Sequence, residues 1–288
     1  MNRPDIVNAL SFDLEEWFQA EVFSRLVHPR LWDRMESRCE GQAERVLGIL
    51  DGRGARATFF ILGWVAERHG ALVRAIAEAG HEIACHGFDH TMITRQSRDE
   101  FSRDVALARA LLERAAGARV TGYRAPTFSV TASTRWALET LWEQGFRYDA
   151  SIYPIRHDRY GIPSSPRFPY VAIDRDGRRL WEYPGFTRRL AGMTLPAAGG
   201  GYLRLLPYAW TRSAVREAHR AGKPAGVFAH PWEFDPDLPD VPLPRVARWR
   251  HYGGIRGNAA KLSRLLGEFR FAPVGEVISS MEKGGGCR

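Results

Sequence analysis

The hydrophobic positions of this 288-residue chain alternate between short continuous apolar runs and longer stretches with helical spacing. Residues 57–62 form one such run, typical of a parallel strand that is buried on both faces. The stretch that follows has Val65, Leu72 and Ile76 on one helical face and ends near Gly80. Repetition of this pattern predicts an α/β fold, with a parallel sheet that is either open or closed into a barrel.

The same reasoning predicts the remaining elements. Ser97 and Glu100 have the spacing of a capping box, so a helix is expected to begin there. Further strands are predicted at residues 6–12, 82–85, 120–123, 146–148 and 225–229. Further helices are predicted at residues 132–144, 212–221 and 258–269, and a final strand or helix at residues 272–278.

One long segment breaks the alternation. Residues 152–208 are rich in Pro, Gly and aromatic side chains and contain two predicted strands, at residues 170–173 and 179–183. We expect this segment to be an insertion or an excursion over one face of the sheet. Residues 233–288 are expected to form a C-terminal extension packed on the barrel, so that residues 1–288 make a single domain.

Five polar residues follow five different predicted strands. They are Asp13, His86, Arg124, Asp149 and His230. In a parallel barrel, the carboxyl ends of all strands open on the same face, where active sites are built. The sequence therefore predicts one polar site at this face.

The residue types at this face suit a divalent metal ion. His86 and His90 are four residues apart, so both imidazoles can face one point if the segment turns there. Two histidines and a carboxylate form a facial triad with open coordination positions. Asp13 and Glu15 are two residues apart, so one can ligate the metal while the other accepts a proton. Zn²⁺ in such a site lowers the pKa of bound water to about 7.

Two further residues extend this chemistry. His230 can donate a proton to a leaving group, and Arg124 can hold a carboxylate through two hydrogen bonds. Taken singly, these residues also have structural interpretations, such as an ion pair or a helix cap. Together they predict metal-assisted hydrolysis of an amide or an ester.

The ordered motifs resemble those of the polysaccharide deacetylases that have a NodB-homology domain. The resemblance covers roughly residues 6–232 and rests on Ser11-Phe12-Asp13, His86-x-x-x-His90, Arg124-Ala125-Pro126, Tyr148-Asp149-Ala150-Ser151 and the apolar strand before His230. It implies a distorted (β/α) barrel with fewer than eight regular units. It also implies a hydrolase of linear amide C–N bonds that removes acetyl groups from N-acetylated sugars.

The resemblance also implies roles for individual residues. Asp13 corresponds to the catalytic base, Arg124 to the partner of that base, and His230 to the general acid. His86 and His90 correspond to metal ligands. One divalent metal is expected, with Zn²⁺ favoured and Co²⁺, Mn²⁺, Ni²⁺ or Fe²⁺ as alternatives.

Further roles concern substrate binding. The N–H of Thr127, which follows Pro126, corresponds to a donor that stabilises the oxyanion together with the metal. Trp232 is a candidate aromatic wall for a sugar ring or the acetyl methyl group, and is equally explained as a core or rim aromatic. Asp149 or Asp158 is expected to be the carboxylate that adjusts the catalytic histidine.

The first motif departs from the commonest family pattern. That pattern has adjacent aspartates, whereas this chain has Asp13-Leu14-Glu15. Glu15 is therefore the predicted third metal ligand, with Asp13 itself as the alternative because Glu is one methylene longer than Asp.

Composition and net charge limit the classes of molecule that the chain is expected to bind. The formal net charge is +8, but Lys223, Lys261 and Lys283 are the only lysines and the arginines form no run of five or six. Nucleic-acid binding is therefore disfavoured, while an acidic glycan or a membrane surface remains compatible with the charge. No apolar run reaches the ~18–20 residues of a membrane helix, and the N-terminus lacks a signal-peptide pattern, so a cytoplasmic location is expected.

The three cysteines form no Cys-x-x-Cys motif. Neither a disulfide framework nor a zinc ribbon is indicated. Cys39 and Cys85 are expected to be small buried residues, whereas Cys287 lies in a Gly-rich tail.

The tail favours one branch of the family. Residues 250–254 and the following helix resemble an extension of deacetylases in bacterial exopolysaccharide systems that are associated with exosortase-type protein sorting. The leading prediction is N-deacetylation of N-acetylhexosamine units in an exopolysaccharide, or in its lipid-linked or nucleotide-linked precursor. The alternatives are an amidohydrolase acting on a small cyclic imide or ureide, and a glycan-binding barrel without catalysis. The oligomeric state is left open.

Overall fold

The computed structural model describes residues 6–24 and 26–283. The strands are β1 (Asn8–Leu14), β2 (Thr58–Ile61), β3 (Glu82–Cys85), β4 (Gly122–Tyr123), β5 (Tyr148–Asp149), β6 (Tyr170–Arg175), β7 (Arg178–Glu182), β8 (Thr187–Leu190), β9 (Met193–Pro196), β10 (Gly226–Ala229) and β11 (Phe271–Ala272). The helices are α1 (Cys39–Asp51), α2 (Gly63–Arg68), α3 (Gly70–Glu78), α4 (Arg98–Ala116), α5 (Trp136–Glu143), α6 (Gly201–Leu205), α7 (Tyr208–Arg220), α8 (Arg245–Tyr252), α9 (Ile255–Glu268) and α10 (Val274–Lys283).

The main sheet is a curled, mostly parallel half-barrel. Its strand order is β10-β1-β2-β3-β4-β5-β7-β6, in which only β6 runs antiparallel to its neighbour, and β11 also pairs with β1. Among the described residues, no ladder joins β10 to β7. The Tyr183 hydroxyl spans this gap by donating to the Ala225 carbonyl at 2.9 Å. The predicted α/β fold, a distorted barrel with fewer than eight regular units, is confirmed.

Several predicted boundaries are close to the observed ones. β3 and the capping box formed by Ser97 and Glu100 at the start of α4 lie where the sequence places them. Strand β1 ends later than predicted, so Asp13 lies inside it, and Asp149 likewise lies inside β5. The helix predicted after residue 62 is divided into α2 and α3 at His69. The His69 ring contacts Glu40.

The predicted excursion at residues 152–208 is shorter than expected. Strand β7 pairs in parallel with β5, so it belongs to the barrel, and its last three residues are buried. Within residues 6–24 and 26–283, only the β8–β9 hairpin forms a separate sheet. This was missed because β7 begins with two exposed arginines and therefore lacks the continuous apolar run of a central strand.

The C-terminal extension packs against the strands of the half-barrel. Helix α10 packs Val274, Val277 and Ile278 in one cluster with Phe60 and Ala84 of the neighbouring strands. Among the described residues, no helix has both the length and the apolar character needed to cross a bilayer. Cys39 and Cys85 are buried as predicted, and Cys287 lies outside the described residues.

Gly122 allows strands β4 and β5 to lie close together next to Arg124. A Cβ atom placed on Gly122 would lie 2.1 Å from the ring of Tyr148 on the adjacent strand. Real Cβ atoms do not approach other atoms so closely, so β4 and β5 can pair here because residue 122 has no side chain. Arg124 follows directly after this tight pairing.

Candidate active site

Glu15, His86 and His90 form a candidate metal-binding group at the carboxyl ends of β1 and β3. One ligand atom from each residue lies within 4.8 Å of the other two. Glu15 follows β1, whereas the histidines lie on a turn after β3 in which Gly87 and His90 have positive φ values of 76° and 62°. This turn, rather than a helix, brings both imidazoles to one point.

The backbone fixes the orientation of the His86 ring. Its Nδ1 donates a hydrogen bond to the Arg124 carbonyl at 2.7 Å, which leaves Nε2 as the free lone pair. Burial lowers the pKa of His86 to about 4. Both features favour the neutral imidazole that a metal ion requires, with its second nitrogen held by a backbone carbonyl.

Glu15 and His90 form a close pair in the same group. Their Oε2 and Nε2 atoms are 2.9 Å apart, yet Oε2 makes no well-aligned hydrogen bond. Burial raises the pKa of Glu15, but the charge and proximity of His90 outweigh it and lower that pKa to about 2. Two imidazoles and one carboxylate whose ligand atoms converge fit the ligand set of a divalent metal.

Asp13 lies beside this group but is held by another partner. Its Oδ1 accepts from Arg124 Nη1 at 2.6 Å, and the same nitrogen donates to Ser11 Oγ at 2.9 Å. The guanidinium also donates to the Ala150 carbonyl and lies 4.1 Å from the centre of the Phe60 ring. The geometry therefore favours Glu15 over Asp13 as the third ligand, because Asp13 is committed to Arg124.

His230, directly after β10, faces both carboxylates. Its Nε2 is 3.9 Å from Asp13 Oδ2 and 3.9 Å from Glu15 Oε1, while its Nδ1 is 3.2 Å from Glu233 Oε1. Burial lowers the pKa of His230, but the hydrogen bond to Glu233 and the surrounding carboxylates outweigh it and raise that pKa to about 9. The ring keeps 19% of its surface exposed, so it can reach a substrate.

Neither aspartate predicted to adjust His230 contacts it. Asp149 is buried, accepts from the Ser151 hydroxyl, and has a pKa that burial raises. Asp158 is 79% exposed and pairs with His157. The carboxylate that contacts His230 Nδ1 is that of Glu233. The sequence signal that could have identified Glu233 is its spacing from His230, three residues along a turn that begins with a proline.

Trp232 is buried, with 5% of its surface exposed. Its ring stacks on His230 at 5.1 Å and on His251 at 4.6 Å. Its Nε1 donates to Glu15 Oε1 at 3.1 Å. This burial fits the interpretation of Trp232 as a core aromatic, and its role as an aromatic wall for a sugar ring or the acetyl methyl group stays a prediction.

The segment after Arg124 is held in an unusual conformation. Pro126 begins a short 3₁₀ turn in which Thr127 and Phe128 have φ values of 55° and 51°. Two successive non-glycine residues in the left-handed region are costly and are concentrated at functional sites. Ser151 Oγ accepts from the Ala125 N–H at 2.7 Å and holds the start of this segment.

A second group of metal-binding residue types lies nearby. Glu16, Cys39 and His69 also offer ligand atoms within 4.8 Å of one another. The Ser37 hydroxyl lies among them: it donates to Glu16 and is 3.3 Å from His69 Nε2. The Arg38 N–H donates to the other Glu16 oxygen at 3.0 Å. Because these hydrogen bonds already satisfy the carboxylate, the group around Glu15 is the better metal site.

Comparisons with known proteins found a matching family model and several curated relatives. Residues 31–144 match the family described as polysaccharide deacetylase, and residues 150–279 match a domain of unknown function (DUF3473). A peptidoglycan deacetylase-like protein from Gibberella zeae is 32% identical over 161 residues, which are 53% of this chain and 45% of that protein. The chain spans less than half the length of the curated relatives that it matches.

Solved structures share the fold. A Mycobacterium smegmatis protein assigned as a polysaccharide deacetylase superposes with a TM-score of 0.67 at 23% identity, covering 99% of this chain and 94% of that one. A Puue allantoinase superposes with a TM-score of 0.62 at 14% identity, covering 98% of this chain and 92% of that one. At these identities the two structures are evidence of fold alone.

Proposed function

The chain belongs to the polysaccharide deacetylase family, and from that premise we propose that it is a metal-dependent hydrolase that removes acetyl groups from N-acetylated sugars of a glycan. One observation carries the proposal. Asp13 and His230 lie against the group formed by Glu15, His86 and His90, with His230 Nε2 3.9 Å from a carboxylate oxygen of Asp13 and of Glu15. A base, an acid and a metal-binding group thus share one point.

Glu15, His86 and His90 would hold the metal, and Zn²⁺ fits this donor set best. When bound, such an ion polarises the acetyl carbonyl and acidifies water. Co²⁺, Mn²⁺, Ni²⁺ and Fe²⁺ also accept these ligands. Trp232 supports the set by fixing Glu15 Oε1, which keeps the other oxygen turned toward His90.

The side chains around this group would move the protons. Asp13 accepts a proton from the attacking water, while Arg124 fixes the orientation of its carboxylate. The water oxygen adds to the acetyl carbon, the C–N bond breaks, and the amine leaves with a proton from His230. The products are acetate and a free amino sugar. The Thr127 N–H is the proposed donor to the oxyanion, and Pro126 fixes the turn that presents it.

The substrate is proposed from the same premise. The curated relatives are named for peptidoglycan and its N-acetylglucosamine units, which supports an N-acetylhexosamine as the reacting sugar. We further propose that the glycan is a bacterial exopolysaccharide or its lipid-linked or nucleotide-linked precursor, and that the reaction takes place in the cytoplasm. The exopolysaccharide assignment rests on the sequence resemblance of residues 250–254. A lipid-linked or nucleotide-linked precursor is the substrate that suits a reaction in the cytoplasm.

The test measures metal content and acetate release on one preparation. N-Acetylglucosamine oligomers serve as substrate for the native chain and for the double variant His86→Ala/His90→Ala. We expect about one divalent metal ion per native chain, and loss of both the metal and acetate release in the variant. A variant at exposed Arg103, on the outer helix α4, serves as the control that should retain both.

Other outcomes would redirect the assignment. Metal without acetate release would contradict deacetylation of these oligomers and lead to a screen of cyclic imides and ureides for ring opening. Glycan binding that persists without metal and without hydrolysis would instead favour a binding barrel.

A further inference from the structure

A buried arginine connects the general-acid side of the site to the C-terminal extension. Arg204 lies on α6, and its side chain is 1% exposed. Its guanidinium donates to the carbonyls of Gly253 and Arg250 at the end of α8, the latter at 3.0 Å. It also lies 3.8 Å from Glu233 Oε1. Helix α8 is thereby joined to the turn that follows His230.

Glu233 stands between this arginine and the catalytic histidine. Its Oε1 contacts both Arg204 Nη2 and His230 Nδ1, the latter at 3.2 Å. The Glu233 carbonyl also accepts from Asn258 Nδ2 on α9 at 3.2 Å. A carboxylate that accepts from Nδ1–H holds that edge of the ring, so that Nε2, which carries the second proton of the imidazolium, faces Asp13 and Glu15.

A stack of rings fixes the plane of the same histidine. His251 of α8 stacks on Trp232 with an interplanar angle of 24°, and Trp232 stacks on His230 at 21°. Arg204 lies 5.7 Å from the centre of the Trp232 ring. The hydrogen bond from His230 Nδ1 to Glu233 therefore fixes the rotation of the ring within its own plane. The stack on Trp232 fixes the tilt of that plane.

Resting on the proposed function, we infer that Glu233 and Arg204 are positioning residues that direct His230 Nε2 at the leaving nitrogen. The C–N bond of an amide breaks productively only if the nitrogen receives a proton, because an amine anion is a poor leaving group. An activated ester differs, since 4-nitrophenolate leaves without a proton. Loss of this positioning must therefore slow amide cleavage more than cleavage of 4-nitrophenyl acetate.

The experiment compares both substrates on the metal-loaded full chain. Glu233→Leu removes the acceptor for Nδ1–H, whereas Glu233→Gln retains an oxygen there. We expect Glu233→Leu to lower kcat for N-acetylglucosamine oligomers by about 100-fold with little change in KM, because misplaced catalytic groups lose rate of this order. The amide-to-ester ratio of kcat/KM should fall accordingly, and Glu233→Gln should restore much of it.

Arg204 is substituted together with Glu233. Removal of Arg204 alone would leave the buried Glu233 carboxylate without its charged partner and threaten folding. The double variant Arg204→Met/Glu233→Gln removes both charges, and we expect a lower amide-to-ester ratio than for Glu233→Gln alone. Arg248→Ala, at an exposed position on α8, is the control that should leave the ratio unchanged. Equal losses for both substrates would overturn the inference in favour of a purely structural role.

A second readout does not depend on activity. Nitrogen-15 NMR of the native chain should show the His230 proton on Nδ1, and this signal should be lost in Glu233→Leu. A proton confined to Nε2 would overturn the inference. Native chain that shows the Nδ1 proton but releases no acetate would instead contradict the proposed function and leave the positioning geometry intact.

Discussion

Asp13 and Glu15 show how two similar residues acquire different roles. They are two residues apart on an extended segment, so both face the site. Arg124 holds the first and His90 the second. The sequence predicted Glu15 as the third ligand, with Asp13 as the alternative. It left that alternative open because the partners of the two carboxylates come from elements more than 70 residues away.

Substitutions of the proton-transfer residues should separate chemistry from metal binding. Asp13→Asn and His230→Ala remove the proposed base and the proposed acid and leave Glu15, His86 and His90 unchanged. We expect acetate release to fall by about 10²–10⁴-fold in each, with metal content near that of the native chain. Metal analysis and circular dichroism on the same samples check site and fold. Full activity in either variant would contradict the mechanism.

Asp104 provides a pH-dependent contribution to stability. Its carboxylate lies on α4 and accepts from the Phe88 N–H in the turn between the two ligand histidines. Burial, together with the charge of Asp89, raises the pKa of Asp104 to about 7. A carboxyl whose pKa is raised on folding stabilises the folded state below its unfolded pKa and loses that contribution as pH rises toward 7.

Asp104→Asn should therefore become relatively more stable as pH increases. We expect little advantage at pH 4 and a gain on the order of 1–3 kcal/mol at pH 8. Urea unfolding of metal-free protein across this range measures the difference. Asp99→Asn, at an exposed position on the same helix, is the control. A difference that stays constant with pH would contradict the assigned cause.

At the scale of elements, helices and strands were predicted best where local signals decide them. The capping box of Ser97 and the continuous apolar run of β2 are such signals. The membership of β7 in the barrel was missed because it depends on pairing with β5. The contact of Glu233 with His230 is local, but its pairing with Arg204 and the stacking of Trp232 on His251 join separate elements, which the sequence pattern did not predict.

Glycine positions in strands and helices should respond in opposite directions to alanine. Gly122→Ala places a methyl group against the Tyr148 ring, so we expect a loss of about 1–3 kcal/mol or more. Gly48 is exposed within α1, and a methyl group there would meet no atom within 4 Å, so Gly48→Ala should gain about 0.5–1 kcal/mol. Denaturant unfolding of both variants checks the pair. Equal effects would contradict the packing explanation.

At the scale of the whole molecule, metal binding and folding should be coupled. Ligand binding to the folded state at 100 times its Kd adds about 2.7 kcal/mol. For a chain of this size that corresponds to a rise in Tm of about 5–10 °C. We expect this shift on adding Zn²⁺ to the chelator-treated native chain, and not for His86→Ala/His90→Ala. Differential scanning calorimetry measures both, and an equal shift in the double variant would place the bound zinc elsewhere.

The central position of β1 determines the order in which the site is completed during synthesis. Its pairing with β2, and that of β2 with β3, brings Glu15 near His86 and His90 using the first third of the chain alone. The other edge of β1 stays open until β10 emerges with His230. On the ribosome, the nascent chain thus gains its candidate metal ligands long before the proposed proton donor. Until then, the exposed edge of β1 must be prevented from pairing with other chains.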